Sequence, residues 1–336
     1  MRLIECVPNF SEGVNAEVIR LIAGEIDSVA GVKLLNIDPG KGANRTVTTF
    51  AGEPGQIVEA AFRAIKKAAE LIDMRVHKGE HPRIGATDVC PLIPIANISM
   101  EETVQYARGL AQRVGEELGI PVYLYEHAQP DKTRHNLSMI RAGQYEGFFE
   151  KIKLPGWRPD FGPDVFHAKH GATVIGARDF LIAYNVNLNT TSAAEASALA
   201  ADVRETGRKV IENGKPVIIP GTLKSVKAIG WYLKEYGFAQ VSMNLTNIGL
   251  TPLHMAFEQV RASAAKRGIE VTGSELVGLI PLKAMLDAGR YFLRKQHHPT
   301  EVSDRELIET AARELGLSQL SPFRPNERII EYLLKR

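Results

Sequence analysis

The sequence predicts an α+β protein of two tandem split-βαβ units, each in the order βαββαβ, with helices packed on mainly antiparallel sheets. Three observations carry that prediction. A series of strand-like and helical patterns occurs twice in the same order. A stretch rich in Pro and Gly at 128–175 separates the two series. The length, 336 residues, suits two compact units at roughly 100–200 residues each. The first unit takes residues 1–179, connecting stretch included, and the second takes residues 180–336.

The first series opens with the short apolar run LIECV at 3–7, interrupted by Glu5. Val18, Ile19, Ile22, Ala23 and Ile26 then recur at helical spacing. Two β-like runs follow, VKLLNI at 32–37 and RTVTTFAG at 45–52, and then a long helical pattern through Ile57, Ala61, Phe62, Ile65, Ala68 and Ile72. DVCPLIPIA at 88–96 reads as the next strand. The helix after it marks both of its ends: Ser99 with Glu102 makes a capping box, and Gly119 stands at the C-terminal stop. VYLY at 122–125 closes the series.

In the second series FLIAYNVNL at 180–188 is a strand, and Ser192 with Glu195 caps a helix through Leu199, Ala200 and Val203. SVKAIGWYL at 225–233 and AQVSMNLTN at 239–247 are two more strands, and Leu253, Met255, Ala256 and Val260 mark a helix. The apolar segment LVGLIPLKA at 276–284 then answers DVCPLIPIA of the first series. Between the two series a helical stretch is expected near 137–152. Near the end, Ser303 with Glu306 caps a further helix, and a short one is expected at 326–334.

Composition narrows the classes of function. A hydrophobic fraction of 44% with 24% charged residues belongs to a chain that buries a real core. A net charge of +2, with no dense Lys/Arg block, argues against a nucleic-acid partner. No run of 18 apolar residues occurs, so no membrane span is expected, and the opening residues lack the pattern of a secretory signal. Two cysteines, Cys6 and Cys90, are too few for a disulfide framework and fit a reducing cytosol. A cytoplasmic location is the expectation.

The densest chemical cluster is HKGEHPRIGATDVCP at 77–91, which gathers His77, Lys78, Glu80, His81, Arg83 and Asp88. His77-x-x-Glu80-His81 matches the inverted zinc-protease string, which would make a metal-dependent hydrolase. That string works on a continuous helix, yet Gly79 lies inside it and Pro82 disfavours helical backbone at His81. A stiff loop presenting polar groups at a sheet end is the better reading. A histidine there can take and return a proton near neutral pH, and His81 is the candidate, whereas His77 reads as a surface residue of a basic loop.

A second cluster, IDPGKGANRT at 37–46, places Asp38, Lys41, Asn44 and Arg45 in a turn between two strands. Its Gly40/Gly42 pair either cradles an anion or belongs to an ordinary hairpin. Asn9 and Ser11 are expected at the same sheet end. A third cluster, WRPDFGPDVFHAKHGATVIGAR at 157–178, mixes aromatic and cationic residues. These suit a flat heteroaromatic ligand with a negative tail, or simply pack a connecting segment.

Several segments carry a resemblance. LIECVPNFSEG (3–13), NRTVTTFAG (44–52), LIDMRVHKGEHPRIGATDVCPLIPI (71–95), PVYLYE (121–126), IRAGQYEG (140–147), PDFGP (159–163), IGWYL (229–233), LVGLIPLKA (276–284) and ERIIEYL (327–333) resemble the glutamate formimidoyltransferases. The resemblance spans nearly the whole chain. It implies two ferredoxin-like subdomains with a folate-binding groove between them, a homodimer, and a stand-alone form without the cyclodeaminase to which this module is fused in animals. It makes His81 the catalytic histidine. It also assigns folate contacts to Gly162, Pro163, Asp164, Val165, Phe166, His167, Ala168, Lys169, His170 and Gly171.

The reaction so implied moves a formimidoyl group from formiminoglutamate to N5 of tetrahydrofolate. Tetrahydrofolate acts there as the one-carbon acceptor, and no metal is called for. Asp38 is the candidate for stabilising the positive formimino group. Arg45, Arg83 and Lys169 are candidates for holding substrate carboxylates, with Asn9 and Asn44 nearby. Formyl transfer from formylglutamate is the rival within this class. A non-catalytic folate- or amino-acid-binding protein is a rival outside it.

Overall fold

The computed structural model describes residues 2–212 and 215–335. It divides into two compact units, Met1–Asp179 and Phe180–Arg336, each with its own hydrophobic core. In the first, β1 (Leu3–Cys6) and β2 (Asn9–Phe10) precede α1 (Ala16–Asp27), β3 (Val32–Gly40), β4 (Arg45–Gly52), α2 (Pro54–Leu71) and β5 (Thr87–Ala96). β1 lies between β4 and β5, antiparallel to both, and β3 pairs with the far side of β4. The order β3-β4-β1-β5 is that of a split-βαβ unit. β2 continues the line of β1 between the same two neighbours.

Local chemistry starts each helix. Asn15 caps α1 by accepting from the backbone N–H groups of Glu17 and Val18. Pro54 opens α2, where its missing N–H costs nothing, and Ile57, Ala60, Ala61, Ala64, Ile65 and Ala68 then bury one face at helical spacing. α3 (Met100–Leu118) carries the full reciprocal capping box of Ser99 and Glu102, and Gly119 ends it at φ +63°.

After α3, β6 (Val122–Glu126) leads into the connecting stretch. The helix expected near 137–152 is broken into α4 (Leu137–Arg141) and α5 (Gln144–Lys151). Gly143 between them and Gln144 at the start of α5 have φ of +89° and +53°, a left-handed turn that a continuous helix cannot contain. A short 3-10 turn follows at Pro155–Trp157. Then β7 (Thr173–Ala177), hidden within the connecting stretch, enters the sheet between β5 and β6, parallel to both. All five of its residues are buried, as a strand covered on both faces requires, so it shows no alternation to read in the sequence.

The second unit holds β8 (Ile182–Leu188), α6 (Ala193–Val203), the hairpin β9 (Arg208–Glu212) with β10 (Lys215–Ile219), β11 (Val226–Leu233), β12 (Phe238–Leu245), α7 (Leu253–Ala265) and β13 (Val271–Val277). The sheet order β11-β12-β8-β13, antiparallel throughout, repeats that of the first unit. One reading needs correction here. LVGLIPLKA is not a strand: β13 ends at Val277, Gly278 turns at φ +78°, and Pro281 caps α8 (Leu282–Lys295). One apolar run thus spans a strand end, a turn and a helix start, which periodicity cannot separate. The separate hairpin β9–β10 was not anticipated.

The chain continues through α9 (Asp304–Glu314), capped by Ser303, and the expected final helix is two short ones, α10 (Pro325–Arg328) and α11 (Ile330–Leu334). Among the described residues no helix is long and apolar enough to cross a membrane.

Candidate active site

β4, β5, β6 and β7 all begin at one end of the first sheet, where β2 and β3 finish. All three polar clusters of the sequence meet at that end. The turn 41–44 is fastened to the loop 77–81 through Asn44, itself at φ +45°. Its side-chain amide donates to Lys78 O (2.8 Å), its side-chain oxygen accepts from Gly13 N (2.9 Å), and its backbone oxygen accepts from His77 Nε2 (2.8 Å). Gly79 runs so close to the turn that a Cβ there would stand 2.2 Å from Ala43 O.

On the other side Gly85 and Gly171 form an isolated β-bridge. Ala86 N donates to His170 O at 2.8 Å, and Ala172 N donates to Ile84 O at 3.1 Å. A Cβ on Gly85 would sit 2.0 Å from Ala172 O, so only glycine allows the approach. Ser11, buried just past β2, donates its hydroxyl to Gly85 O at 2.7 Å.

His81 sits in this loop in non-helical backbone, as Pro82 requires. The string 77–81 therefore lacks the helix on which an inverted zinc motif depends, and the hydrolase reading loses its basis. The Nδ1 of His81 has two neighbours with opposite demands: Pro82 O at 2.7 Å needs a hydrogen there, and Arg45 Nη1 at 3.1 Å needs a lone pair. The shorter contact, to the carbonyl, assigns the hydrogen to Nδ1. The neutral ring then has its lone pair on Nε2, which makes no hydrogen bond to a described residue. Burial, then the charges of Arg45 and Arg141, push the imidazole well below its ordinary 6.5, against the opposing pull of Asp88 and Pro82 O. At neutral pH this imidazole is uncharged.

Behind it lies Asp88, wholly buried. Its carboxylate pairs with Arg45 from β4 and Arg141 from α4, and also accepts from Ile84 N at 3.1 Å. Burial alone would raise this carboxyl, but Arg141 and Arg45 outweigh it and hold the group below the usual carboxylate range. Arg45 in turn is lowered to about 10 by burial, with Asp88 opposing and Arg141 adding to the shift.

The remaining candidates divide. Asn9 joins the cluster by accepting from Arg45 Nε at 2.9 Å. Asp38 lies within β3 and not in the turn, where the register sets it in one cross-strand row with Val47 and Asn9. It shares their face of the sheet, two strands from Asn9. The turn 41–44 directs the carbonyls of Gly42 and Asn44 at its neighbouring loop, in the manner of a fastened hairpin and not of an anion cradle. His77 is buried, not superficial: its Nε2–H holds Asn44 O, and its Nδ1 accepts from Arg83 Nε at 3.4 Å.

The cations proposed for substrate carboxylates all have protein partners. Arg45 serves Asp88 and Asn9, Arg83 makes a two-pronged pair with Glu146 of α5 (2.7 and 2.8 Å), and Lys169 Nζ donates to Glu70 O at 2.7 Å. They hold the site's own loops together.

In the stretch 162–171, Gly162, Pro163, Asp164, Val165 and His167 are exposed. Phe166 points inward, packed among Tyr145, Phe148 and Phe149, so it is not the open stacking surface its position suggested. His167 stacks on His170 at 4.3 Å, and Ala168 O accepts from the Tyr145 hydroxyl. Arg141 and Glu146, which brace the His81 loop, were not among the candidates. Their one signal was the family-like string IRAGQYEG that contains both.

Two family models account for almost all of the chain. Residues 3–178 match the formiminotransferase domain, N-terminal subdomain, and residues 183–335 match the formiminotransferase domain. The chain belongs to the formiminotransferase family. Its relatives include the formimidoyltransferase-cyclodeaminase of Gallus gallus, 50% identical over 334 residues, which are 99% of this chain and 60% of that protein. The chain therefore spans about 60% of the length of that relative. The glutamate formimidoyltransferase of Thermoplasma acidophilum is 46% identical over 88% of this chain and 93% of its own length. That of Streptococcus pyogenes serotype M1 is 42% identical over 87% and 94%. All three loops of the site fall within the part matched to the formiminotransferase N-terminal subdomain.

Proposed function

We propose that this chain transfers the formimidoyl group of N-formimidoyl-L-glutamate to N5 of tetrahydrofolate, with His81 as the general base. One observation carries the reading: in a chain of this family, the imidazole is held neutral with Nδ1–H on Pro82 O and Nε2 left for a substrate proton. Relatives named for formimidoyl transfer support the choice of donor.

In this reading N5 of tetrahydrofolate attacks the formimino carbon and a new C–N bond forms. The proton released from N5 passes to His81 Nε2. The tetrahedral intermediate then collapses by breaking the bond to the glutamate nitrogen, which takes the proton back from His81. The two cations near the ring suit that second step, because an imidazolium beside Arg45 and Arg141 is a strong acid and gives its proton up readily. Asp38 is the proposed group for stabilising the positive amidine carbon, a role supported by the sheet face it shares with Asn9. The exposed residues of 162–171 are the proposed folate contacts. Tetrahydrofolate is a substrate in this scheme, and the reading needs no metal.

The test is transfer by a His81→Ala variant, followed through the absorbance of the one-carbon folate. Loss of about 10²–10⁴-fold in kcat is expected for removing a general base. A rate within a few-fold of the parent would sink the base assignment. Parallel assays with N-formylglutamate measure donor preference, and sedimentation tests the homodimer.

A further inference from the structure

Asp88 is the most constrained ionised group in the site, and the reaction as written gives it no task. Its side chain is completely buried, and its contacts run to Arg45, Arg141 and the Ile84 N–H. Oδ2 takes Arg45 Nη1, whose guanidinium rests on the Nδ1 edge of the imidazole. Oδ1 takes Ile84 N, two residues beyond the Pro82 carbonyl that sets the ring's tautomer. Arg141 grips both oxygens, Nε on Oδ1 at 3.2 Å and Nη2 on Oδ2. It arrives from α4, so the connecting segment supplies the second cation.

A carboxylate set directly on Nδ1 would make the histidine more basic. Here a carbonyl occupies that edge and a guanidinium separates the carboxylate from the ring, so the arrangement orients the imidazole without charging it.

We propose that Asp88 and Arg141 are positioning residues for His81, acting through the Arg45 guanidinium and the Ile84 backbone to hold the imidazole with its Nε2 edge free. The inference rests on His81 being the proton acceptor. The charged groups facing the ring are Arg45 from β4, Asp88 from β5 and Arg141 from α4, so charge changes at the two positioning residues must act on the ring in opposite senses. Removing Arg141 takes away a cation that disfavours imidazolium, and removing Asp88 takes away the anion that favours it.

The experiment records the acid limb of kcat/KM against pH, together with the NMR titration of the His81 Cε1–H, for four variants. Arg141→Gln moves both upward by about one pH unit and Asp88→Asn moves both downward. The double variant returns toward the parent. Arg141→Lys, which keeps the charge but loses the fork, lowers kcat/KM while leaving the limb in place. Limbs that coincide in all variants, or single variants that move the same way, overturn the proposal. Asp88→Asn leaves two buried cations without their anion and can fail to fold. The contrast of Gln with Lys at 141 then decides alone, because no upward shift in Arg141→Gln also overturns it. The NMR titration separates this outcome from failure of the base assignment, since it reads the ring's surroundings whether or not His81→Ala retains activity.

Discussion

Arg83 and Glu146 illustrate how a charged residue of a candidate site can already be committed to a protein partner. Arg83 sits in the chemically richest string of the sequence, but its guanidinium is buried and its fork is filled by Glu146. The hydrogen bonds from Arg83 pull the Glu146 carboxyl down to about 2. Glu146→Gln takes the opposing charge and one of the two carboxylate prongs from a buried cation. Because the Glu146 side chain is 55% exposed, water offsets part of the loss, and about 1–2 kcal/mol of destabilisation is expected. The sign with pH follows from the lowered value. The pair's contribution is complete above the ordinary 4.5 and is lost as pH falls toward 2. Denaturant unfolding at pH 7 and at pH 3 measures this: the gap between parent and variant should shrink at pH 3, and an unchanged gap contradicts the assignment. His77 teaches the same lesson, since a buried ring that ties one loop to another is indistinguishable in sequence from a surface histidine.

The elements that matter most are the loops, and each is fixed by backbone approach more than by side chains. The turn 41–44 and the loop 77–81 touch where Gly79 passes Ala43. Gly79→Ala forces a Cβ to within 2.2 Å of a carbonyl oxygen, a clash with backbone that cannot rotate away. The two loops must separate, at a cost of about 1–3 kcal/mol by analogy with other overpacked sites. His81 moves with them, so transfer activity should fall more steeply than stability. A melting temperature lowered with full activity would show that the contact does not position the ring. The helix ends, by contrast, were legible at once. Ser99, Ser192 and Ser303 each accept from the backbone N–H three residues on, a bond set by spacing alone. β7 was not legible, because five buried residues in a Gly-rich stretch carry no period.

Across the whole molecule, several histidines share one electrostatic situation. Burial lowers His77, His81, His170 and His254 below the ordinary 6.5, helped by nearby cations. The unfolded chain then binds protons near that pH which the folded chain refuses. Stability is therefore complete above about 6.5 and falls as pH drops below it. Melting temperatures taken from pH 7.5 to 5 should decline, and His81→Gln should flatten the decline. A flat profile in the parent would show these rings to be solvated. The duplicated architecture was readable at this scale because both units repeat one order of patterns, and both sheets take the arrangement that this order implies.

Local interactions speak directly through sequence. Caps, helical stripes, the proline that keeps His81 out of a helix and the family strings all lie within a few residues of the atoms they govern, so the repeated βαββαβ order, the capped helices and the candidate base follow from the sequence alone. The tertiary structure alone decided which charges meet. Asp88 and Arg141 are 53 positions apart, and Arg83 and Glu146 are 63. Their pairing depends on the path of the connecting segment and on how much water the fold excludes, and neither quantity is written in any local pattern.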